Sequence, residues 1–145
     1  MRDWVIRRAK PEDATALREA IKNAYAVYAE RISDLPDVAG GIGADIDNNL
    51  TFVIEKDARI VGGMILVVAK DFLHLSNIAI APEFSGQGLG KQLMQHAEKE
   101  AQNLNLQEMR LSTHVLMPEN VALYDHLGWT ETGRDGSKVF MSKMV

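Results

Sequence analysis

Asn77-Ile78-Ala79-Ile80-Ala81-Pro82-Glu83-Phe84-Ser85-Gly86-Gln87-Gly88-Leu89-Gly90-Lys91 runs from an apolar stretch through a proline and a glycine cluster into a helix-forming segment. The order predicts strand, loop, helix. Phe72–Ala81 reads as a mostly buried strand that stops at Pro82, because proline has no N–H to give to a central strand. Beyond the glycines, Leu89, Leu93, Ala97 and Ala101 stand at successive i+4 positions, with Met94 and Leu104 flanking them. That spacing gives a helix one apolar face for the sheet and leaves Glu98 and Lys99 in solvent.

The loop Ser85–Lys91 therefore sits at a helix N-terminus, where unpaired backbone N–H groups and the positive end of the helix dipole converge. Glycines let the backbone approach phosphate oxygens and accept the dihedrals that turn successive N–H groups inward. An anion site and a plain tight turn both fit the loop alone. Two known phosphate loops do not. The Walker pattern needs Gly at Ser85 and Ser or Thr at Gln92, and the dinucleotide fingerprint needs a third glycine where Lys91 or Leu93 stands.

Upstream, Thr51-Phe52-Val53-Ile54-Glu55 and Arg59–Ala69 are β-rich runs around Lys56-Asp57-Ala58, the spacing of an antiparallel hairpin. Trp4-Val5-Ile6 is a short strand, and from Pro11 to about Glu30 the residues Ala14, Leu17, Ile21, Ala24, Tyr25 and Tyr28 make one helical stripe. Arg31–Asn49, with Pro36, three glycines and four aspartates, reads as loop plus a short helix. Downstream, Glu108–Val115 alternates as a strand, so the helix after the glycine loop is a crossover and its flanking strands are parallel. Pro118–Leu127 is a short helix closed by Gly128, and Trp129–Glu131 with Lys138–Lys143 forms a terminal hairpin around Arg134-Asp135-Gly136. The expected architecture is α/β (α+β): a mixed sheet of six to seven strands flanked by about four helices, in a single domain spanning 1–145.

Composition narrows the function. The 145 residues carry a formal net charge of −4, which lacks the basic excess that nucleic acid or a membrane surface requires. The absence of cysteine excludes disulfides, thiolate metal sites and Cys nucleophiles. No metal centre is expected. The charged N-terminus, Arg7-Arg8-Ala9-Lys10, precedes any long apolar run, so neither a signal peptide nor a membrane span is expected and a cytoplasmic setting fits.

Asn77–Gly90 is similar to the central acyl-CoA signature of the GNAT superfamily of N-acetyltransferases, and Asn120-Val121-Ala122-Leu123-Tyr124-Asp125-His126-Leu127-Gly128-Trp129 resembles that family's second block, with Trp129 as its closing aromatic. The resemblance covers essentially the whole chain. It departs at Ser85, where the family usually has Arg or Gln, so a cationic contact to phosphate is missing from that position.

The resemblance implies direct transfer of an acetyl group from acetyl-CoA to a primary amine of a small molecule or protein. The alternative is a catalytically silent acyl-CoA-binding or regulatory module. An acetylator of aminoacyl-tRNA is disfavoured by the acidic balance. By the same resemblance, the pyrophosphate rests on Ser85, Gly86, Gln87, Gly88, Leu89, Gly90 and Lys91, and the pantetheine arm pairs with the strand at Ile78, Ala79 and Ile80. Asn120 would bond the pantetheine amide, with helix N-capping as its rival role. Tyr124 would act as acid to the departing thiolate. His74, four residues before Ile78, is the first candidate base and His114 the second, while His96 and His126 read as helix-surface residues; a water chain is an alternative to both. Tyr25, Tyr28 and Glu30, with Asp34 and Asp37, are candidates for the acceptor side, and a homodimer through the terminal strands is implied.

Overall fold

The computed structural model describes residues 3–29 (without the side chain of Val27), 32–33 and 41–145. Seven strands form one sheet in the order β1-β2-β3-β4-β5-β7-β6. The strands are β1 Trp4–Arg8, β2 Leu50–Lys56, β3 Arg59–Val68, β4 Leu73–Ile80, β5 Glu108–His114, β6 Thr130–Asp135 and β7 Lys138–Met144. The helices are α1 Ala14–Ala29, α2 Ile42–Asn48, α3 Leu89–Asn103 and α4 Pro118–His126. All neighbouring strands are antiparallel except β4 and β5, which α3 joins in parallel. The mixed sheet and its helices are those expected, and the central strands alternate between two faces except where the register shifts.

One face carries α3: Leu89, Leu93, Met94, Ala97 and Ala101 bury against Phe52, Ile54, Met64, Leu66, Leu73, Leu75, Met109 and Leu111. The other carries α1 and α2, with Leu17, Ile21, Ile42 and Ile46 over Val53, Ile65 and Ala79. Gly63 sets the distance of α1 from the sheet. A Cβ there would stand 2.6 Å from Leu17 Cδ1 and 2.5 Å from the Phe52 carbonyl, so no larger residue fits without moving the helix.

Some expectations need adjustment. Pro11–Asp13 is a 3-10 turn ahead of α1 rather than its first turn, fixed by Asp13, whose carboxylate accepts from the Lys10 backbone N–H at 2.7 Å and from both terminal nitrogens of Arg7 at 2.7 and 3.0 Å. The second hairpin strand of the C-terminus is as expected, but β6 extends to Asp135 because it pairs with β7 as far as Lys138. His96 is half-buried at the surface of α3, where its ring meets that of Phe52 edge-on at 4.6 Å. Glu98 is not free in solvent, since it pairs with Lys143 at 3.2 Å. Leu104 is exposed rather than packed. Within the segment 31–49 the short helix is α2, whereas Glu30, Asp34 and Asp37 lie outside the described residues.

Two irregularities shape the middle of the sheet. In β4, Leu75 faces Leu66 and Asn77 faces Ile65, which leaves Ser76 as one extra residue. The bulge reverses the facing of the strand: Leu73 and Leu75 before it, and Ile78 and Ile80 after it, all pack on the α3 side. Separately, the β4–β5 ladder consists of Leu73 opposite Met109 and His74 opposite Arg110, after which the strands diverge.

Candidate acyl-CoA site

The glycine loop is built by short-range bonds. The Ala81 N–H bonds the Val61 carbonyl at 2.8 Å, and the Phe84 N–H bonds Ala81 at 2.9 Å, closing a 3-10 turn at Pro82–Phe84. The Ser85 N–H and hydroxyl both donate to the Pro82 carbonyl, at 3.1 and 2.8 Å, so this side chain is spent inside the turn. Gly86 and Gly88 have φ of 79° and 80°, the left-handed region that costs any residue with a Cβ. Gly88 is the N-cap of α3 and brings no side chain to it. Gln92 makes the first bond of the helix, back to the Gly88 carbonyl at 3.1 Å. The amides of residues 86–91 have no backbone acceptor among the described residues. They form the N-terminal array, with its partial positive charge, to which an anion binds.

Beside this loop lies a cavity of about 390 Å³, bounded by four elements. Ile78, Ala79 and Ile80 supply the β4 wall, Gly90, Lys91 and Met94 that of α3, Tyr25 and Tyr28 that of α1, and Asn120, Leu123, Tyr124 and His126 that of α4. The lining is apolar and aromatic with a few polar groups, the usual composition of a small-molecule site.

Tyr124 is held from behind. Its carbonyl accepts from the backbone N–H groups of Leu127 and Trp129 at 3.0 and 2.9 Å, and its ring lies 6.0 Å from the fully buried Trp129 ring. Burial, and then the neighbouring Tyr25 and Tyr28, push its phenol above the ordinary value near 10. The hydroxyl therefore stays protonated at neutral pH. Tyr25 is pushed the same way by burial and by Tyr28, whose ring is 6.2 Å distant. Asn120 does not cap α4, because the N-cap is Met117; its amide instead donates to the Met117 sulfur at 3.3 Å and its side chain lines the cavity.

The cavity thus gathers Tyr124, Asn120, Ile78, Ala79, Ile80, Gly90, Lys91, Tyr25 and Tyr28 from the residues singled out in the sequence. It does not include His74 or His114. The bulge at Ser76 puts His74 on the opposite sheet face from Ile78, between Val67 and Arg110, and burial lowers its pKa. His114 ends β5, its Nδ1 accepting from the Leu116 N–H at 3.0 Å. The imidazole that lines the cavity is His126. Its position at the last turn of α4, two residues past Tyr124, put it on another helical face by spacing alone. Met94 and Leu123 were also not singled out, and ordinary amphipathic spacing gave them no distinguishing signal.

Residues 13–129 match the acetyltransferase (GNAT) family, and the chain belongs to it. A Bacillus subtilis protein, provisionally named a ribosomal protein bS18-alanine N-acetyltransferase, is 42% identical over 67 residues, 43% of this chain and 44% of that one. The ribosomal protein bS18-alanine N-acetyltransferase of Escherichia coli is 29% identical over 82 residues, 57% of this chain and 55% of its own length. The match thus spans about half the length of these curated relatives. A PaiA N-acetyltransferase from Thermoplasma acidophilum, solved in complex with coenzyme A, shares the fold with a TM-score of 0.86 at 22% identity, over 99% of this chain and 100% of that one. No helix among the described residues is long and apolar enough to cross a membrane.

Proposed function

We propose that the protein transfers an acetyl group from acetyl-CoA to a primary amine. The reading rests on one juxtaposition: Gly90 and Lys91, at the end of the run of unpartnered amides 86–91, the β4 residues Ile78–Ile80 beyond the β4–β5 ladder and Tyr124 all line one cavity. The diphosphate sits on the loop amides, and the pantetheine arm runs along β4 as an added strand would. Asn120 donates to an amide carbonyl of the arm. A neutral amine attacks the thioester carbon, the C–S bond breaks, Tyr124 gives its proton to the leaving thiolate, and the proton shed by the new amide nitrogen restores the phenol.

The tyrosines of α1 form the acceptor side, where aromatic faces attract an ammonium group before it loses its proton. That proton leaves through water, since neither His74 nor His114 is among the residues that line the cavity. Two copies pair through β6, which has no outer neighbour in the sheet.

The test is thiol release from acetyl-CoA against a panel of monoamines, polyamines and peptides, including one that begins with alanine as the names of the relatives suggest. Binding of coenzyme A without turnover on any amine would favour a silent binding module instead. Absence of saturable coenzyme A binding would end the reading.

A further inference from the structure

Residues 85–90 carry no cationic side chain, and Ser85 is closed onto Pro82, so within the loop that would take a diphosphate only Lys91, at its helical end on the cavity wall, brings a charge. The neighbouring β2–β3 hairpin brings further charge. Its two-residue turn, Asp57-Ala58, sets Lys56 opposite Arg59 in register. Both cations flank the Phe84 ring, with Lys56 Nζ 5.9 Å and Arg59 Cζ 5.3 Å from its centroid. Arg59 is neutralised by Glu83 at 3.2 Å and is largely exposed. Lys56 differs: its ammonium donates to the side-chain oxygen of Gln87, inside the glycine loop, and its nearest carboxylate is that of the exposed Asp3 at 3.6 Å. A half-buried cation is thus held on the loop by a neutral partner and a loose acidic one.

We infer that Lys56 is a second cation, beside Lys91, that binds the diphosphate of the acyl donor, reaching it from outside the glycine loop across Gln87. This deepens the acetyl-CoA reading and rests on it. An ammonium–phosphate contact is charge-assisted and stronger than the neutral bond to Gln87 that it replaces. It also requires no arginine at position 85.

The experiment compares wild type, Lys56→Met and Lys56→Arg by calorimetry with coenzyme A and 3′-dephospho-coenzyme A, and by turnover with acetyl-CoA and S-acetylpantetheine. Lys56→Met is expected to weaken both coenzymes about tenfold. Turnover of S-acetylpantetheine, which has no diphosphate, should be unchanged, and this also shows that the variant is folded. Lys56→Arg should recover most of the affinity.

Equal coenzyme affinity in wild type and Lys56→Met overturns the inference, as does an equal loss on S-acetylpantetheine. A loss confined to coenzyme A and absent with the dephospho form overturns it too, because the charge would then serve the 3′-phosphate. Wild-type protein that binds neither coenzyme removes the acetyl-transfer reading itself, an outcome separable from the others.

Discussion

In the proposed transfer Tyr124 acts as a neutral phenol. Burial and then two neighbouring phenols hold its proton on past neutrality, which is what the proposed donation to a leaving thiolate requires. Tyr124→Phe is expected to lower kcat by about 10²-fold or more, the range for loss of a positioned acid, with little change in coenzyme A affinity. The paired variant His74→Gln should leave the pH–rate profile of wild type intact; a shifted acidic limb would restore a catalytic role to His74. Asp13 makes a different pH prediction. The Arg7 bonds, foremost, hold its carboxyl below the ordinary value of about 3.9. The folded state therefore favours the carboxylate: this stability is complete above the unfolded value and is lost as pH falls through the folded one. Asp13→Asn should lower the melting temperature at pH 7 and flatten its decline below pH 4. At this scale the motif pointed to Tyr124 and Asn120, which line the cavity, whereas spacing did not tell that His126 lines it and His74 and His114 do not, because which imidazole reaches a cavity depends on facing.

Among the elements, β4 shows why. Strict alternation over Phe72–Ala81 makes His74 and Ile78 face alike, and the single residue inserted at Ser76 undoes that. Nothing in Leu75-Ser76-Asn77 announces a bulge, since no glycine or proline marks it. The β2–β3 turn, by contrast, was legible in position but not in geometry. Asp57 and Ala58 adopt φ of 53° and 64°, a turn that favours glycine at its second position. Alanine there is held in a conformation that costs about 1–2 kcal/mol. Ala58→Gly is accordingly expected to stabilise the protein by about 0.5–1 kcal/mol after the unfolded-state entropy of glycine is set against it. Urea unfolding would show this as a higher midpoint at constant slope.

For the whole molecule, element order and the parallel crossover could be read from periodicity and from the strand–loop–helix order at Pro82, because those signals are local. The separation of the layers could not, since it depends on contacts between Gly63, Leu17 and Phe52, residues far apart in sequence. Gly63→Ala should destabilise the fold by about 1–3 kcal/mol, the cost of forcing a methyl into a packed interface, and thermal melts would register it. The same substitution at Gly86 meets no atom within 4 Å, so any loss there comes from its backbone angle alone.

The short β4–β5 ladder has a mechanical corollary. Two residue pairs stitch the four-stranded block β1–β4 to the three-stranded block β5–β7–β6, with α3 lying across the seam. A pantetheine chain lodged in that gap acts as mortar between the blocks. Amide hydrogen exchange in β5 and β7 should slow on adding coenzyme A, while exchange in β1 and β2, remote from the joint, keeps its pace.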